Sequence, residues 1–279
     1  MAKAFQIRDH LQESYAEVYT AEALAALTAL APLDALRRER MAERLARRRE
    51  RAAARRPLAF LDPDTLIPGT TIRVGEARAG EFDGSEIPPD LQRQWIQGTG
   101  PATKPHAPVK AGLRNVAYAL LSGADGWMFD GEDALGQIST MSLDNLRNLR
   151  LAIAGDPLFL TVAEQVATEM NAWAEGFFGR PIIDDWRRQL DFTTRIFRCR
   201  GLHLDDRHLR HSDGSGFSAS ITDLCLYVVN NQAALRVAGR SVVLYLPKIQ
   251  TAGEAALWNE LLSALESHLG LPDGTIKAY

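Results

Sequence analysis

The chain has 279 residues, 46% of them hydrophobic, and a formal net charge of −3. That length fits one large α/β domain or two small ones, the apolar content excludes global disorder, and the charge gives no general attraction to nucleic acid or membrane. Only two cysteines occur, Cys199 and Cys225, without metal-type spacing, and with no leader-like start and no apolar run near the ~18 residues that span a bilayer, a cytoplasmic protein is expected.

Residues from about Leu11 to Leu30 read as a helix, with Leu24, Leu27 and Leu30 as an apolar stripe that Pro32 ends. A second helix is expected from Leu33 to Arg55 on Leu36, Met41 and Leu45. Between Arg37 and Arg56 it carries ten arginines against three glutamates. One reading is an arm for RNA or acidic partners. The other is a solvated helix with Glu–Arg pairs at helical spacing, which the lack of interleaved aromatics favours. Residues 1–56 thus form a helical hairpin.

Residues 57–94 read as an irregular connection rich in proline, with a short strand at Thr71–Val74. Trp95–Gly98 is the first strand of the main sheet. The loop Gly98-Thr-Gly-Pro101 after it is either a plain turn or a backbone cradle for an anion. A helix over Val109–Leu121 presents Leu113, Val116, Ala117 and Leu120 on one face. Strand Gly126–Phe129 follows and ends at Asp130, Glu132 and Asp133. Helices are expected at Asp144–Ile153 and Val162–Gly176.

Ile196–Cys199 has strand composition, and Gly201 stops it. Alternation on a strand puts Arg198 and Arg200 on one face and Phe197 and Cys199 on the other. Two inward arginines are costly unless an anion meets them. The Gly/Ser-rich stretch His211–Ser220 reads as a loop that is mobile or near a ligand. A helix at Ile221–Leu235 has Thr222 as its cap. The buried-type strand Ser241–Leu246 ends in Pro247-Lys248, Gly270 closes a helix over Gly253–Leu269, and Thr275 opens another strand.

From Trp95 onward, strands and helices alternate. That predicts a parallel sheet with crossover helices and chemistry at the carboxyl ends of its strands. Three such ends carry charge: Asp130, Glu132 and Asp133; Arg198 and Arg200; and Lys248. Glu132 and Asp133 suit a hydrated Mg²⁺, or a charge pair favoured by a helix N-terminus. Arg200 suits an oxyanion, or a buried partner for a carboxylate. Lys248 is an anion contact or a structural ion pair. His203 and His208, near Asp205 and Asp206, are a conceivable metal set, although orienting the loop is the favoured role for His203. Trp186, Phe192 and Trp258 read as core. No nucleophile triad order, P-loop or dinucleotide fingerprint occurs.

Several runs resemble malate synthase. FRCRGLHLDDRH is similar to that family's arginine-bearing strand, and ADGWMFDGEDA to its Asp-x-Glu-Asp strand end. VVLYLPKIQTAGEAALWNELLSALESHLGLPDGTIKA is closer still, and TIRVGE, IPPDLQRQ and the Gly98–Pro101 segment fall in the family's order upstream. The resemblance runs from about Thr71 to Tyr279, with residues 1–56 where the family has a helical clasp. It implies an α/β fold: an incomplete TIM barrel, its first half over residues 95–279, preceded by the hairpin. It further implies Mg²⁺-dependent condensation of acetyl-CoA with glyoxylate to malate and CoA. Arg200 would polarise the aldehyde and steady the enolate, Arg198 and Lys248 would contact substrate, and Glu132 and Asp133 would hold waters around the metal.

Three departures stand out. The family's magnesium ligands follow the strand that begins here at Thr275, and its catalytic aspartate and C-terminal helical domain are not in the sequence. Gly131 stands where a phenylalanine is usual, and Asp133 is not followed by the family's Pro-Thr-Trp. The loop Thr103–Val109 is longer than usual. A half-barrel leaves open edges and an exposed inner face, so a second polypeptide or copy is expected to complete it. The other readings are a related CoA-thioester carbon–carbon lyase, of citrate lyase beta-subunit or malyl-CoA type, and a non-catalytic partner subunit that docks through the Arg-rich helix.

Overall fold

The computed structural model describes residues 5–279 apart from 68, 85, 99–101, 103 and 134–137. The proposed anion cradle beyond Gly98 therefore lies outside the described residues, as does the segment directly after Asp133.

The site is positioned by a five-stranded parallel sheet in the order β2-β3-β4-β7-β8. Its strands are β2 (Trp95–Gly98), β3 (Gly126–Asp130), β4 (Thr194–Arg198), β7 (Val242–Tyr245) and β8 (Ile276–Ala278). Register is continuous across it: Phe129 lies opposite Phe197, which lies opposite Leu244. The side-chain period of two sorts the faces. Trp127, Phe129, Phe197, Val242 and Leu244 join the main core under the helices, while Met128, Ile196 and Val243 form a separate small cluster on the other face. Rings stack along the first set, Phe129 on Phe197 and Phe197 on Tyr227. The sheet is not closed, and β2 and β8 are its edges.

Crossovers supply the helical layer. α5 (Val109–Leu120) links β2 to β3. α6 (Met141–Ile153), α7 (Pro157–Phe178) and α8 (Trp186–Phe192) link β3 to β4. α9 (Ala219–Val237) leads to β7, and α10 (Ala252–Leu269) to β8. Gly270 adopts φ 63° as it ends α10, a conformation open to glycine at little cost. The N-terminal helices α2 (Ala21–Leu30) and α3 (Leu33–Ala53) pack on α9 and α10, and Ala23, Ala26, Leu27 and Leu30 enter the common core. No described helix is long and apolar enough to cross a membrane.

Four local expectations need correction. The helix expected over Leu11–Leu30 is two, α1 (Leu11–Ser14) and α2, because the Thr20 side chain accepts from the Ala23 amide and starts a new helix. Thr71–Val74 is not a strand. Only Leu66 and Arg73 form a bridge, and α4 (Val74–Ala79) begins there because the Glu76 carboxylate accepts from the Arg73 amide. The stretch expected as a loop at His211–Ser220 is the turn of a β-hairpin and its second strand, running into α9, in an antiparallel sheet of β1 (Phe5–Ile7), β5 (Asp205–His211) and β6 (Gly216–Ser218). Ser218, not Thr222, caps α9: its hydroxyl accepts from the Ile221 amide, while Thr222 donates to the Ser218 carbonyl.

Candidate active site

The carboxyl end of β3 turns on its own last side chain. Asp130 Oδ1 accepts the Glu132 and Asp133 amides at 3.0 and 2.9 Å, an Asx-type turn that aims both following carboxylates at the sheet's rim. Gly131 permits this. Its amide donates to the Arg198 carbonyl at 3.1 Å, and a Cβ there would meet that oxygen at 2.7 Å. Asp130 Oδ2 accepts Arg198 Nη1 at 2.8 Å and Gln97 Nε2 at 2.7 Å. One buried carboxylate thus ties β2, β3 and β4 together.

Lys248, just past β7, completes the cluster. Its Nζ lies 2.8 Å from Glu132 Oε1 and 2.9 Å from Asp133 Oδ1, and its backbone holds φ 57°, a strained value for a non-glycine residue. Arg198 Nη1 also reaches Asp133 Oδ2 at 2.9 Å, and its Nη2 stands 3.9 Å from Glu132 Oε2. Three acids therefore face two cations. Hydrogen bonding from Lys248, then from Arg198, holds the Asp133 carboxyl below its usual range. Glu132, then Asp133, raises Lys248. Burial opposes the charge on Arg198, but Asp130, Asp133 and Glu132 outweigh it and hold the guanidinium above its ordinary value.

Two features of this cluster are chemically open. Among the described residues, Arg198 Nε is buried without a hydrogen-bond partner, and Nη2 makes only the long approach to Glu132. Those two nitrogens form one edge of the planar guanidinium, the edge that receives a carboxylate with two parallel bonds. Both oxygens of Glu132 are likewise buried with no hydrogen-bond partner among the described residues.

Arg200 is differently placed. β4 ends at Arg198, so strand alternation does not carry on to place both arginines among the same carboxylates. Arg200 is 1% exposed. Its Nε and Nη2 donate to Asp223 Oδ2 and Oδ1 at 2.9 and 2.6 Å, and Nη2 also reaches Asp206 Oδ2 at 2.7 Å. Its amide donates to Asp223 as well, at 2.8 Å. The bidentate edge of Arg200 is therefore filled by α9 and β5. Burial disfavours its charge, but Asp223 and Asp206 more than offset this.

The histidines do not form a metal set with the neighbouring aspartates. Asp205 pairs with Arg37, Asp206 with Arg200, and His208 Nε2 meets the Ser139 carbonyl at 2.8 Å. Among the described residues, no group of three or more His, Cys, Asp or Glu is arranged to hold a metal ion. His203 stands 3.7 Å from Glu132 Oε1, beside the rim. Trp258 is buried and Trp186 packs on the core, while Phe192 is not core: it is 43% exposed under the Arg93 guanidinium.

His208 gives the fold a pH dependence. Burial first, then Arg200 and Arg207, holds it below its ordinary value of 6.5, against the pull of Asp206. The folded protein keeps the ring neutral while the unfolded chain protonates it, so stability is lost as pH falls below 6.5. His203 is depressed by burial too and adds to the same trend. The melting temperature is expected to drop between pH 7 and about 5.5, and less so in His208→Gln, which keeps a donor for Ser139. Equal slopes for the two proteins would rule out His208 as a source.

Two groups escape sequence reasoning, Gln97 and Asp223. Gln97 carries no signal. Asp223 carried one, being an acid inside the helical run ASITDLCLYVV, in which every residue from Ala219 to Val228 is buried; such an acid requires a cationic partner.

A parallel β/α sheet of barrel type, with acids and cations gathered at the carboxyl ends of its strands, is the architecture of barrel enzymes. The particular likeness is to malate synthases. Residues 194–279 match the family model Malate synthase, TIM barrel domain. The chain is 32% identical over 267 residues to the malate synthase of Myxococcus xanthus, covering 95% of this chain and 42% of that protein. It is 29% identical to the malate synthase of Streptomyces clavuligerus over 94% of the chain and 42% of the relative. The glyoxysomal malate synthase of Zea mays is 29% identical over 98% of the chain and 43% of its own length. The chain thus spans about two fifths of the length of these curated relatives.

The donors present bear on the magnesium that the resemblance in the sequence leads one to expect. Both oxygens of Asp130 and of Asp133 already accept bonds from protein groups. Among the described residues both oxygens of Glu132 lack a hydrogen bond, Oε1 meeting Lys248 Nζ only as an ion pair at 2.8 Å. The described residues therefore suit contact with a hydrated cation through its waters, and do not by themselves form an inner coordination set.

Proposed function

We propose that this chain supplies the arginine and acidic part of a malate synthase-type site, which condenses acetyl-CoA with glyoxylate to malate and CoA. The observation that carries this reading is the vacant Nε/Nη2 edge of Arg198 at the meeting point of β2, β3, β4 and β7. Glyoxylate is a two-carbon acid whose oxygens match such a fork. As the acetyl carbon attacks the aldehyde, its oxygen gains charge. A guanidinium already fixed by Asp130 and Asp133 stabilises that oxygen without reorganising. The role that the resemblance implies for Arg200 thus suits Arg198 better, and Arg200 acts as a positioning residue for the loop after β4.

Magnesium, when bound, makes the keto-acid carbonyl more electrophilic, and Glu132 and Asp133 would hold its waters. Lys248 pairs with both acids, holds the Asp133 carboxyl below its usual range and adds positive charge for the incoming anion. We further propose that a second polypeptide or copy completes the barrel. The edge strand β2 exposes Trp95 and Ile96, and an uncovered edge of this kind invites strand pairing. The buried free thiols of Cys199 and Cys225 fit a reducing compartment such as the cytoplasm.

The test is malate formation from acetyl-CoA and glyoxylate with Mg²⁺, run with the chain alone and with the product of the adjacent gene, alongside calorimetric titration of glyoxylate into the chain. Glyoxylate binding and malate only in the complemented reaction are expected. Full turnover by the monodisperse chain alone would remove the second polypeptide from the proposal. No binding and no malate in either reaction would end it.

A further inference from the structure

At the opposite, amino end of the sheet lies a cavity of about 150 Å³ with an unusual concentration of arginine. Arg195, on β4, is 6% exposed. It makes no ion pair among the described residues: its Nη atoms donate only to the carbonyls of Thr193 and Leu190, at 3.3 and 3.1 Å, and its Nε is buried without a partner. A buried guanidinium without a counter-charge is costly. Burial, then the like charge of Arg240, pushes Arg195 down to about 9. It remains cationic at neutral pH.

Two further arginines share the cavity wall. Arg93 lies over the Phe192 ring at 4.1 Å and donates to the Phe192 carbonyl and the Thr194 hydroxyl, also without an ion pair among the described residues. Arg240 is paired with Asp191, whose side chain is 80% exposed, so water weakens that partnership. The other acid on the wall, Asp90, is engaged by the Ser241 amide and hydroxyl at 2.9 Å each. Three cations against two acids leave an excess positive charge facing a cavity that is partly open to solvent.

We propose that this cavity binds a small oxyanion, clamped by Arg93, Arg195 and Arg240; the Thr194 hydroxyl, which donates to the Asp90 carbonyl at 2.7 Å, takes no part. The volume is well under the ~300 Å³ at which cofactor-sized pockets begin, which restricts the ligand to the size of inorganic phosphate or a short carboxylate. Water filling the cavity would solvate the guanidinium groups but leave their charge unbalanced. An oxyanion does both. The clamp is separated from Arg198 by most of the length of β4, roughly 10 Å at ~3.3 Å per residue, and is independent of the reaction proposed there.

The experiment is a melting-temperature titration of the 279-residue chain with inorganic phosphate and with malonate, against sodium chloride at matched ionic strength. A saturable rise with either oxyanion beyond the chloride control is expected. Phosphate alone assigns an inorganic ligand, and malonate alone a carboxylate. Arg93→Gln and Arg240→Gln should each weaken the apparent affinity at least ten-fold, as should Arg195→Gln where that variant folds. A response no larger than that to chloride, or an affinity unchanged in both Arg93→Gln and Arg240→Gln, would overturn the proposal.

Discussion

Replacing Arg198 with lysine is expected to lower the turnover of the malate-forming assembly by about 10²–10³-fold, the loss typical of removing one preorganised oxyanion donor. Lysine keeps the charge but not the planar fork, so it cannot bind Asp130 and Asp133 through Nη1 while presenting Nε and Nη2 to a substrate. The ammonium would be drawn into the acid cluster and leave the vacant edge unfilled. Glyoxylate binding by the chain, followed calorimetrically, should weaken in parallel because the same edge holds the ground-state carboxylate. Folding should be nearly unchanged, since Asp130 retains Gln97 and the two turn amides. Turnover within a few-fold of the parent, with glyoxylate binding intact, would take Arg198 out of the mechanism. The matched Arg200→Lys variant discriminates further. Its loss should appear first as reduced stability, because Arg200 meets only Asp223 and Asp206.

How much of this is legible in the sequence depends on the range of the interactions involved. The strands Trp95–Gly98 and Gly126–Asp130 and the helix at Val109–Leu120 follow from local pattern, and the structure has them within a residue or two of the expected bounds. The same holds for the strand and helix pair over 242–269. These segments bury one face or both, and burial writes a period into the residues. The stretch 205–218 misleads because its pairing partner is remote. Phe5 lies opposite His211, so glycine and serine that read as a loop are part of a hairpin held by a strand some two hundred residues earlier. The rim follows the same division. That acids and cations end neighbouring parallel strands is readable from spacing. Which arginine keeps a free edge is not, because that depends on Asp223 and Asp206, which belong to elements whose packing only the tertiary fold decides.

That dependence leads to the largest expected loss of stability. Asp223→Ala should destabilise the fold by about 3–5 kcal/mol, the range seen when one member of a buried ion pair is removed. Asp223 is 2% exposed and Arg200 is 1% exposed, so neither has water to fall back on. Without Asp223, Arg200 Nε and one Nη2 bond lose their acceptor, and so does the Arg200 amide. Asp206 alone remains, and it is already engaged by the His208 and Leu209 amides. The anchoring of α9 to the loop after β4 goes with it, although the Ser220 hydroxyl still donates to the Arg200 carbonyl. Urea denaturation read by circular dichroism measures the loss. Asp223→Asn should cost less, because the amide oxygen still accepts one bond. The double replacement Arg200→Met with Asp223→Leu should recover part of the stability, since it removes the stranded charge along with its partner. A loss below ~1 kcal/mol for Asp223→Ala, the level of an exposed pair, would mean that Arg200 finds solvent or another acceptor, and its description as a buried positioning group would fail.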